Sequence, residues 1–500
     1  MTSATHVLPA RTTAPNLPGI ETVIAAAGAL LVALGFAATT PAALHWFVLP
    51  IIVCAALVGG DAIRWLRGSL GAFDPAGVIG LLGIQLFFIA PLLHVRWDYW
   101  MRYVQPPPDW RDWLGAMAIL NCIGLLAYRI GRAWVARGSQ PLRRVRVLDP
   151  QRLWVLLPLA LIAAAAAQYW VYSRYGGLLG FVRAYETPGD SFQGMGIVFL
   201  VSESFPILAF IGFAVLATRR PGLSSWWVLA LVLLAFFALK LLFGGLRGSR
   251  SNTVWGLFWA LGIIHLWIRP MPRRLLLAGV PVLAAFMFGY GLYKAAGLEG
   301  VAAIARPARA IEIATRSGRT LHATMLGDLG RSDVQAYVLY RIQTDAAQDL
   351  AWGRTYIGGA AILIPRSVYP DRPPTKVKDG TDVTYGAGTY DTGRVSTRVY
   401  GLAGEAMLNV GAAGVPVVFL LWGMLVGVIR RMYYGLAQLD ARRLMLPLLV
   451  NLAVIALIGD SDNIVFFLAK EATLPFVVLL LCTRSMRREE GGPAEQAAWT

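Results

Sequence analysis

The amino-acid sequence predicts an all-α polytopic membrane protein with about twelve transmembrane helices. Of its 500 residues, 57% are hydrophobic and only 15% are charged, whereas soluble domains carry roughly a quarter of charged residues. The mean hydropathy of +0.58 is also typical of a membrane protein. Apolar windows of around 20 residues, the length that crosses a bilayer core about 30 Å thick, recur along almost the whole chain.

Each predicted span is one such apolar window, and each boundary carries an error of a few residues. In chain order the predicted spans are 20–39, 42–60, 76–94, 112–130, 153–172, 196–217, 225–244, 253–268, 275–293, 406–429, 443–459 and 464–483. The residues before the first window lack a basic region set directly against a short apolar stretch with a cleavage site. We therefore expect an uncleaved first helix rather than a signal peptide.

The positive charge lies mostly at the ends of spans of one parity. The formal net charge is +17, and the arginines concentrate in the runs 128–152, 218–222, 268–274, 429–443 and 484–490. By the positive-inside rule these runs and both termini are cytoplasmic, in a cytoplasmic (inner) membrane protein. Topology and contact with anionic membrane lipids account for the charge, so no nucleic-acid partner is expected.

One long segment interrupts the series of spans. The predicted division is 1–293 for spans one to nine, 294–405 for a long external loop between spans nine and ten, 406–483 for spans ten to twelve, and 484–500 for a cytoplasmic tail. Within the loop, apolar residues at helical spacing over 331–348 predict an amphipathic helix lying on the bundle. The residues 366–393 are rich in Pro, Gly, Asp and Thr, which favours turns.

Two arginines lie on the predicted external side, against the charge bias of the other short connections. Arg247 and Arg250 are three residues apart, so they are predicted to project from one face of a helix start. Paired guanidinium groups bind phosphate in a bidentate way, which predicts an anion site. The alternative is that both side chains snorkel to lipid phosphate at a helix end.

Three short motifs resemble those of the bacterial oligosaccharide repeat-unit polymerases, the Wzy-type O-antigen and exopolysaccharide polymerases. They are a Gly-Ser-Arg motif, a Pro-Arg and Lys/Pro segment late in the external loop, and a Gly-Glu followed by Asn and Gly before the next span. In this chain they fall on Gly248, Ser249 and Arg250, on Pro365, Arg366, Pro370, Pro374 and Lys376, and on Gly404, Glu405, Asn409 and Gly411. The sequence departs from the pattern at Val410 and in the order of "PDRPPTK".

The resemblance covers the second half of the chain and implies a fold, an activity and partners. The fold would be a helical membrane fold of the GT-C glycosyltransferase kind. The activity would be transfer of a growing glycan from undecaprenyl diphosphate onto the next lipid-linked repeat unit, at the outer (periplasmic) face of the cytoplasmic membrane. A chain-length regulator protein is a candidate partner.

The chemistry of the residues assigns roles that agree with this activity. The leaving lipid diphosphate needs fixed cations, and the candidates are Arg250 as a catalytic residue and Arg247, Arg366 and Arg398 as binding residues. The resemblance implies Lys376 as a further binding residue. Glu405 is the candidate general base, with Asn409 one helical turn deeper on the same face as a substrate-binding residue. Loop salt bridges for the cations, and complementation of a helix N-terminus for Glu405, remain the alternatives.

Metal and nucleotide chemistry have no local signature in the sequence. No HExxH, CxxC or Walker-like run occurs, so no cofactor is expected. The Asp460 and Asp462 pair matches helix N-caps better than a divalent-ion site.

Two other functions compete with the polymerase. An O-antigen ligase would use the same donor with a lipid A acceptor. A polysaccharide flippase or transporter would carry polar groups deep within several spans and show two related halves, whereas the sequence indicates charge concentrated at one outer face and no repeat.

Overall fold

The computed structural model describes residues 19–137, 144–186, 192, 194–248 and 250–487. Over these ranges the chain is almost entirely helical, and its regular strands are β1 (Arg144–Leu148) and β2 (Thr483–Arg487). The two strands pair antiparallel, with Arg144 opposite Arg487. The all-α prediction is therefore confirmed, while the two ends of the chain, 1–18 and 488–500, lie outside the described residues.

Most of the described residues lie in α-helices. In chain order they are α1 (Ile20–Thr39), α2 (Val48–Leu66), α3 (Pro75–Ile84), α4 (Ala90–Arg96), α5 (Trp110–Arg137), α6 (Pro150–Arg174), α7 (Leu178–Glu186), α8 (Gly196–Ser202), α9 (Phe205–Arg219), α10 (Trp226–Leu242), α11 (Arg250–Ile263), α12 (Arg273–Ala303), α13 (Pro307–Ser317), α14 (Ser332–Thr344), α15 (Arg354–Ala360), α16 (Lys376–Tyr385), α17 (Gly401–Val410), α18 (Gly414–Gly435), α19 (Leu446–Ile458), α20 (Ser461–Phe467) and α21 (Thr473–Leu481).

Eleven helical stretches in the described ranges are long and apolar enough to cross a membrane. They are Ile20–Thr39, Val48–Leu66, Pro75–Arg96, Trp110–Ala136, Pro150–Arg174, Gly196–Arg219, Trp226–Arg247, Arg250–Ile268, Arg273–Ala303, Gly414–Gly435 and Ser461–Leu481. The remaining predicted span, α19, is apolar but has only 13 residues, or about 20 Å of helix. The chain is therefore a multi-pass membrane protein.

The tenth span begins later than the sequence predicts. The apolar run from 406 is divided between α17 and α18, and the break falls at Gly411, whose φ of +70° is disfavoured for residues with a side chain. The backbone N–H of Gly411 closes α17 on the carbonyl of Met407 at 2.9 Å. Helix α17 is consequently a separate buried helix that ends just before the span α18 begins.

The prediction of turns over 366–393 is wrong in part, because α16 lies within it. Local composition does not favour this helix, but tertiary contacts support it. Val383 is fully buried, and Asp379 forms an ion pair with Arg354. Upstream, α14 occupies the region where an amphipathic helix is predicted, and Val334, Val338 and Leu339 are buried on it.

The chain forms two compact units that interleave along the sequence. Unit 1 takes the described residues within 1–139, 320–434 and 452–466, and unit 2 takes those within 140–319, 435–451 and 467–500. In unit 1, alternate connections between spans contact one another. Arg96 donates to Thr39 at 2.6 Å and Arg398 donates to the carbonyl of Arg102 at 2.6 Å, so the connections that follow spans one, three and nine meet at one end of the unit.

The remaining connections of unit 1 meet at the opposite end. Arg430, near the end of span ten, lies 2.9 Å from Asp74, which precedes span three. The buried pair of Arg132 and Asp61, at 2.6 Å, joins the corresponding ends of spans four and two. These contacts show that spans one to four and span ten of unit 1 run alternately up and down.

Unit 2 contains the sheet of β1 and β2 and the spans from α6 to α12. Asp149 lies between β1 and α6. It caps α6 by accepting from the backbone N–H of Gln151 at 3.1 Å, and it pairs with Arg484 of β2 at 2.6 Å. At another part of the unit, the hydroxyl of Tyr293 in α12 donates to the carbonyl of Leu246 at 2.6 Å. This bond ties α12 to the turn that carries Arg247.

Candidate functional site

Glu405 is the centre of a buried polar network in unit 1. It lies on α17, is only 3% exposed, and its carboxylate accepts three hydrogen bonds. The donors are the Thr355 hydroxyl at 2.8 Å, the Ser461 hydroxyl at 2.5 Å and the Ser461 backbone N–H at 2.6 Å. Since Ser461 is the first residue of α20, Glu405 complements the N-terminus of another helix while remaining linked to α15 through Thr355.

Asn409 lies one turn along α17 on the same face as Glu405. Its amide donates to the Thr355 hydroxyl at 2.7 Å and to the Glu405 carbonyl at 2.8 Å, and its oxygen accepts from the Gly353 backbone N–H at 2.9 Å. Asn409 is fully buried. Its side chain therefore positions Thr355 and the start of α15.

Lys376 belongs to a buried ion cluster beside this network. Its ammonium donates to the carboxylate of Asp460 and lies 3.1 Å from Asp462. Asp460 also accepts from the backbone N–H groups of Tyr400 at 3.0 Å and Gly401 at 2.7 Å. Asp460 is thus a helix cap, as the sequence predicts, but it caps α17 rather than the helix that follows it.

The electrostatics of the network favour proton exchange near neutral pH. Burial, and to a lesser degree the charge of Asp460, raise the pKa of Glu405 to about 7, against the hydrogen bonds from Ser461 and Thr355. Burial opposes the charge of Lys376, yet Asp460 and Asp462 outweigh it and raise the pKa of Lys376. Glu405 can therefore accept a proton under conditions in which Lys376 stays charged.

The other predicted cations of unit 1 differ in their freedom to bind a ligand. Arg398 is half-buried and donates to the carbonyl of Arg102. Arg366 is exposed on the turn after α15, and within the described ranges it makes no ion pair or hydrogen bond. The guanidinium of Arg366, a predicted binding residue of unit 1, is therefore available to an anion.

Arg247 and Arg250 lie in unit 2, on two different elements. Arg247 ends a 3₁₀ turn, and Arg250 begins α11 after Gly248, whose φ is +86°. The prediction that both lie on one helix start is therefore wrong, because Arg247 ends one element and Arg250 begins the next. Ser249, the middle residue of the motif, lies outside the described residues.

Arg247 is held by a buried acid, Glu203, which is not among the site residues predicted from the sequence. Its guanidinium contacts Glu203 at 2.6 Å and lies 3.9 Å over the ring of Phe199. Gly244, with a φ of +143°, makes room for this contact, since a Cβ there would lie 2.6 Å from the Glu203 carboxyl carbon. The salt-bridge alternative for Arg247 is therefore the arrangement that the structure contains.

Glu203 belongs to a network of charged residues within the membrane spans, which we call the intramembrane network. It contains Glu203, Arg247, Asn252, Lys240, Lys470 and Glu471. Glu203 pairs with Lys470 and accepts from the Asn252 amide at 2.7 Å. Lys240 donates to Glu471 at 2.7 Å and to the Asn252 oxygen at 3.2 Å.

The intramembrane network contradicts one expectation drawn from the sequence. Charge is not confined to one outer face, because Lys240 and Glu203 are fully buried inside apolar spans. The signal for finding them was present, since an ionisable residue in an apolar window such as "FFALKLLF" or "FLAKEATLPF" is rare and marks a buried polar contact.

The predicted site residues are thus divided between the two units. Glu405, Asn409, Lys376, Arg366 and Arg398 lie in unit 1, and Arg247 and Arg250 lie in unit 2. Glu405 and Asn409 share Thr355, and Lys376 joins them because its partner Asp460 is the neighbour of Ser461. Among the described residues, no group of three or more His, Cys, Asp and Glu side chains is placed to hold a metal ion.

Removing the charge of Lys376 is expected to destabilise unit 1 strongly. Lys376→Met keeps the apolar stem but leaves Asp460 buried without its cation, which costs about 3–5 kcal/mol of folding free energy. The matched control is Lys378→Met, because the half-buried Lys378 contacts an exposed carboxylate, that of Asp391, at 3.8 Å, and such a pair is worth about 0–1 kcal/mol. Thermal unfolding of the detergent-solubilised protein measures both, and equal shifts of the two variants would contradict the buried pair.

Comparisons of this chain with protein-family models, with curated protein sequences and with solved structures gave no match. Its function is therefore inferred from the chemistry of the site and from the motifs that it carries.

Proposed function

We propose that this protein is a membrane glycosyltransferase of the GT-C kind that polymerises lipid-diphosphate-linked oligosaccharide units, with undecaprenyl diphosphate as the carrier. The observation that carries the proposal is Glu405, a buried carboxylate whose pKa is raised to about 7 and which Thr355 and Ser461 hold in one orientation. The same residue occupies the Gly-Glu position of the motif that resembles the repeat-unit polymerases.

The reaction assigns Glu405 a defined step. A hydroxyl of the acceptor sugar attacks the anomeric carbon of the donor glycan, the bond from that carbon to the diphosphate oxygen breaks, and the diphosphate leaves with the electron pair. The proton of the attacking hydroxyl passes to Glu405. A base with a pKa near the working pH is suited to this transfer.

Fixed cations stabilise the diphosphate as it departs. In unit 1 we assign this role to Arg366, because its guanidinium is exposed and available, with Arg398 in support. The alternative candidates for this role are Arg250 at the start of α11 in unit 2 and Arg247, which Glu203 orients. Lys376 and Asn409 act through their contacts with Asp460 and Thr355, so they are positioning residues.

The orientation proposed for the protein follows from its arginines. The basic connections 218–222, 268–274 and 429–443 alternate along the chain with two other connections. One of these carries Lys376 and the other carries Asp460, and the two residues form an ion pair. With the basic side in the cytoplasm, both termini are cytoplasmic and the segment between α12 and α18 is periplasmic. The lipid-linked units would then be joined at the outer face, with a chain-length regulator as partner.

A transporter is the second candidate, and the intramembrane network favours it. Charged residues inside spans mark ion or substrate pathways in many transporters, and Glu203, Lys240 and Lys470 are buried within spans. A flippase for lipid-linked glycans would explain these residues, although it would leave the raised pKa of Glu405 without a role. An O-antigen ligase shares the donor chemistry and differs only in the acceptor.

The lipid-linked glycans of a deletion strain separate the three functions. For a polymerase, we expect the deletion to leave surface material that carries a single repeat unit, because units are exported but not joined. The chain with Glu405→Gln should fail to restore long polymer, whereas Glu312→Gln, at an exposed pair with Arg309, should restore it.

Other outcomes of the same experiment would remove the polymerase proposal. Long polymer stranded on its lipid carrier would identify a ligase, since polymerisation would have proceeded without the protein. Single units trapped on the cytoplasmic side would identify a flippase. The sidedness of the trapped units is measured by their accessibility to a glycosidase in intact spheroplasts.

A further inference from the structure

Helix α15 of unit 1 has two unlike faces. Thr355, Gly358 and Gly359 are buried, and Thr355 reaches the Glu405 carboxylate. The opposite face carries Ile357, which is 57% exposed, and Ala360, which is also exposed. The face formed by the small residues therefore packs against the Glu405 network, while the apolar face points away from the described part of unit 1.

The exposed apolar surface continues beyond the end of α15. Leu363, Ile364 and Tyr369 are exposed, and Val368 is 74% exposed. Arg372 donates to the carbonyl oxygens of Ile362 and Ile364 at 2.9 Å each, so the turn is held in shape rather than collapsed onto the protein. We call this surface, formed by the exposed apolar side chains of residues 352–369, the α15 surface.

The contacts of α15 fix its depth relative to the spans. A Cβ at Gly359 would lie 2.5 Å from the hydroxyl oxygen of Ser461, so the two backbones approach closely. Ser461 is the first residue of the membrane-crossing stretch Ser461–Leu481. The helix therefore lies at the level where that span begins.

A second span gives the same depth. The backbone N–H of Trp352, just before α15, donates to the carbonyl of Asn409 at 2.9 Å. Asn409 precedes by a few residues the span Gly414–Gly435. Both ends of α15 are thus tied to the entry points of membrane-crossing helices, which is the level of the lipid headgroups.

The composition of the α15 surface matches this level. Aliphatic side chains are accompanied by Trp352 and Tyr369, and aromatic residues of these two types are enriched where a membrane meets water. The exposed guanidinium of Arg366 would lie among lipid phosphates. Exposure of these apolar side chains to water has an unfavourable free energy. At the boundary of headgroups and acyl chains the same side chains contact lipid instead.

We propose that the α15 surface is a membrane-interface contact, in which Ile357, Leu363, Ile364 and Val368 enter the boundary between lipid headgroups and acyl chains without crossing the bilayer. The occupant of this surface is lipid. The proposal concerns the depth of the segment and holds whichever reaction the Glu405 network performs.

Fluorescence quenching in proteoliposomes tests the proposal. The native residues Cys54, Cys122 and Cys482 are replaced by alanine, and single cysteines are introduced as Ile357→Cys or Val368→Cys and labelled with an environment-sensitive dye. Asp391→Cys, on an exposed turn of the same unit, is the water-facing control. Leu231→Cys, on an exposed position of the span Trp226–Arg247, is the lipid-facing control.

We expect labels at 357 and 368 to be quenched by phosphatidylcholine that carries a quencher near its headgroup, as the label at 231 is quenched by acyl-chain quenchers. They should also be quenched by aqueous iodide several-fold less than the label at 391. Strong iodide quenching at both positions would overturn the proposal, because it would place the surface in water. Shielding from both lipid and iodide would also overturn it, since a protein would then cover the surface.

Discussion

Replacing Glu405 with glutamine is expected to reduce polymer formation by about 10²–10⁴-fold, which is the usual contribution of a general base. The fold should survive, because glutamine can keep its oxygen against the Ser461 N–H and donate from its amide to the hydroxyls of Thr355 and Ser461. The rate of polymer formation by purified protein in proteoliposomes, supplied with the lipid-linked unit, measures the effect.

The pH dependence of the rate separates catalysis from structure. A base acts only when it is deprotonated, so the wild-type rate should rise with pH and level off above about 7. The rate that remains in Glu405→Gln should lose this dependence. Glu312→Gln, an exposed carboxylate in a pair with Arg309, should keep the wild-type profile.

The same pKa predicts the pH dependence of stability. The folded pKa of Glu405 lies above its ordinary value of 4.5, so the stabilisation that Glu405 contributes is fully present below that value and is lost as the pH rises through about 7. Glu405→Gln should remove this loss. A variant that forms polymer at the wild-type rate, with the wild-type pH profile, would end the assignment of Glu405 as base.

Arg250→Ala is expected to lower polymer formation by about 10²–10³-fold, the usual effect of removing one preorganised group that stabilises developing charge. Arg250→Lys should recover only part of this loss, because a point charge does not reproduce the planar fork that binds a diphosphate. Polymer length and amount at matched levels of membrane protein give the measurement. Arg309→Ala, which removes an exposed guanidinium paired with Glu299 and Glu312, is the control.

The lysine variant decides between the two interpretations of Arg250. If the side chain only reaches lipid phosphate at a helix end, lysine serves equally well. Wild-type amounts of polymer from Arg250→Lys would therefore show that Arg250 is an interfacial anchor, and the diphosphate contact would have to be sought at Arg366.

The membrane spans could be predicted from the sequence because their signal is local. A window of apolar residues is sufficient to identify a span, and eleven of the predicted spans have the expected length and composition in the described ranges. The errors arose where a single backbone position or a distant contact decides the outcome. Gly411 separates α17 from α18. Helix α16 forms in an unfavourable composition, and its tertiary contacts include the buried Val383 and the pair of Asp379 with Arg354.

The sequence predicts individual residues of the site but not the contacts between them. Glu405 and Asn409 are one helical turn apart, so their common face follows from helix periodicity. The contacts of Glu405 with Thr355 and Ser461 span 50 and 56 residues of sequence, and no local pattern pairs residues at such separations. For the same reason Asp460 was expected to cap its own helix, although its carboxylate caps α17.

The intramembrane network has a consequence for how the chain is made. Lys240 and its partner Glu471 are separated by 231 residues, so the span that carries Lys240 must enter the membrane long before its counter-ion is synthesised. A lysine at the centre of a span costs about 2.5–3.5 kcal/mol on insertion. Lys240 lies in the last turn of α10, where the cost is smaller, and the strongly apolar remainder of Trp226–Arg247 offsets it. Glu203 meets Arg247 much earlier, since only 44 residues separate them. Until the span Ser461–Leu481 is made, the Asn252 oxygen is the partner that Lys240 has within reach along the chain. The ion pair of Lys240 with Glu471 therefore forms late in synthesis, after the spans that it joins to the end of unit 2 are already in the membrane.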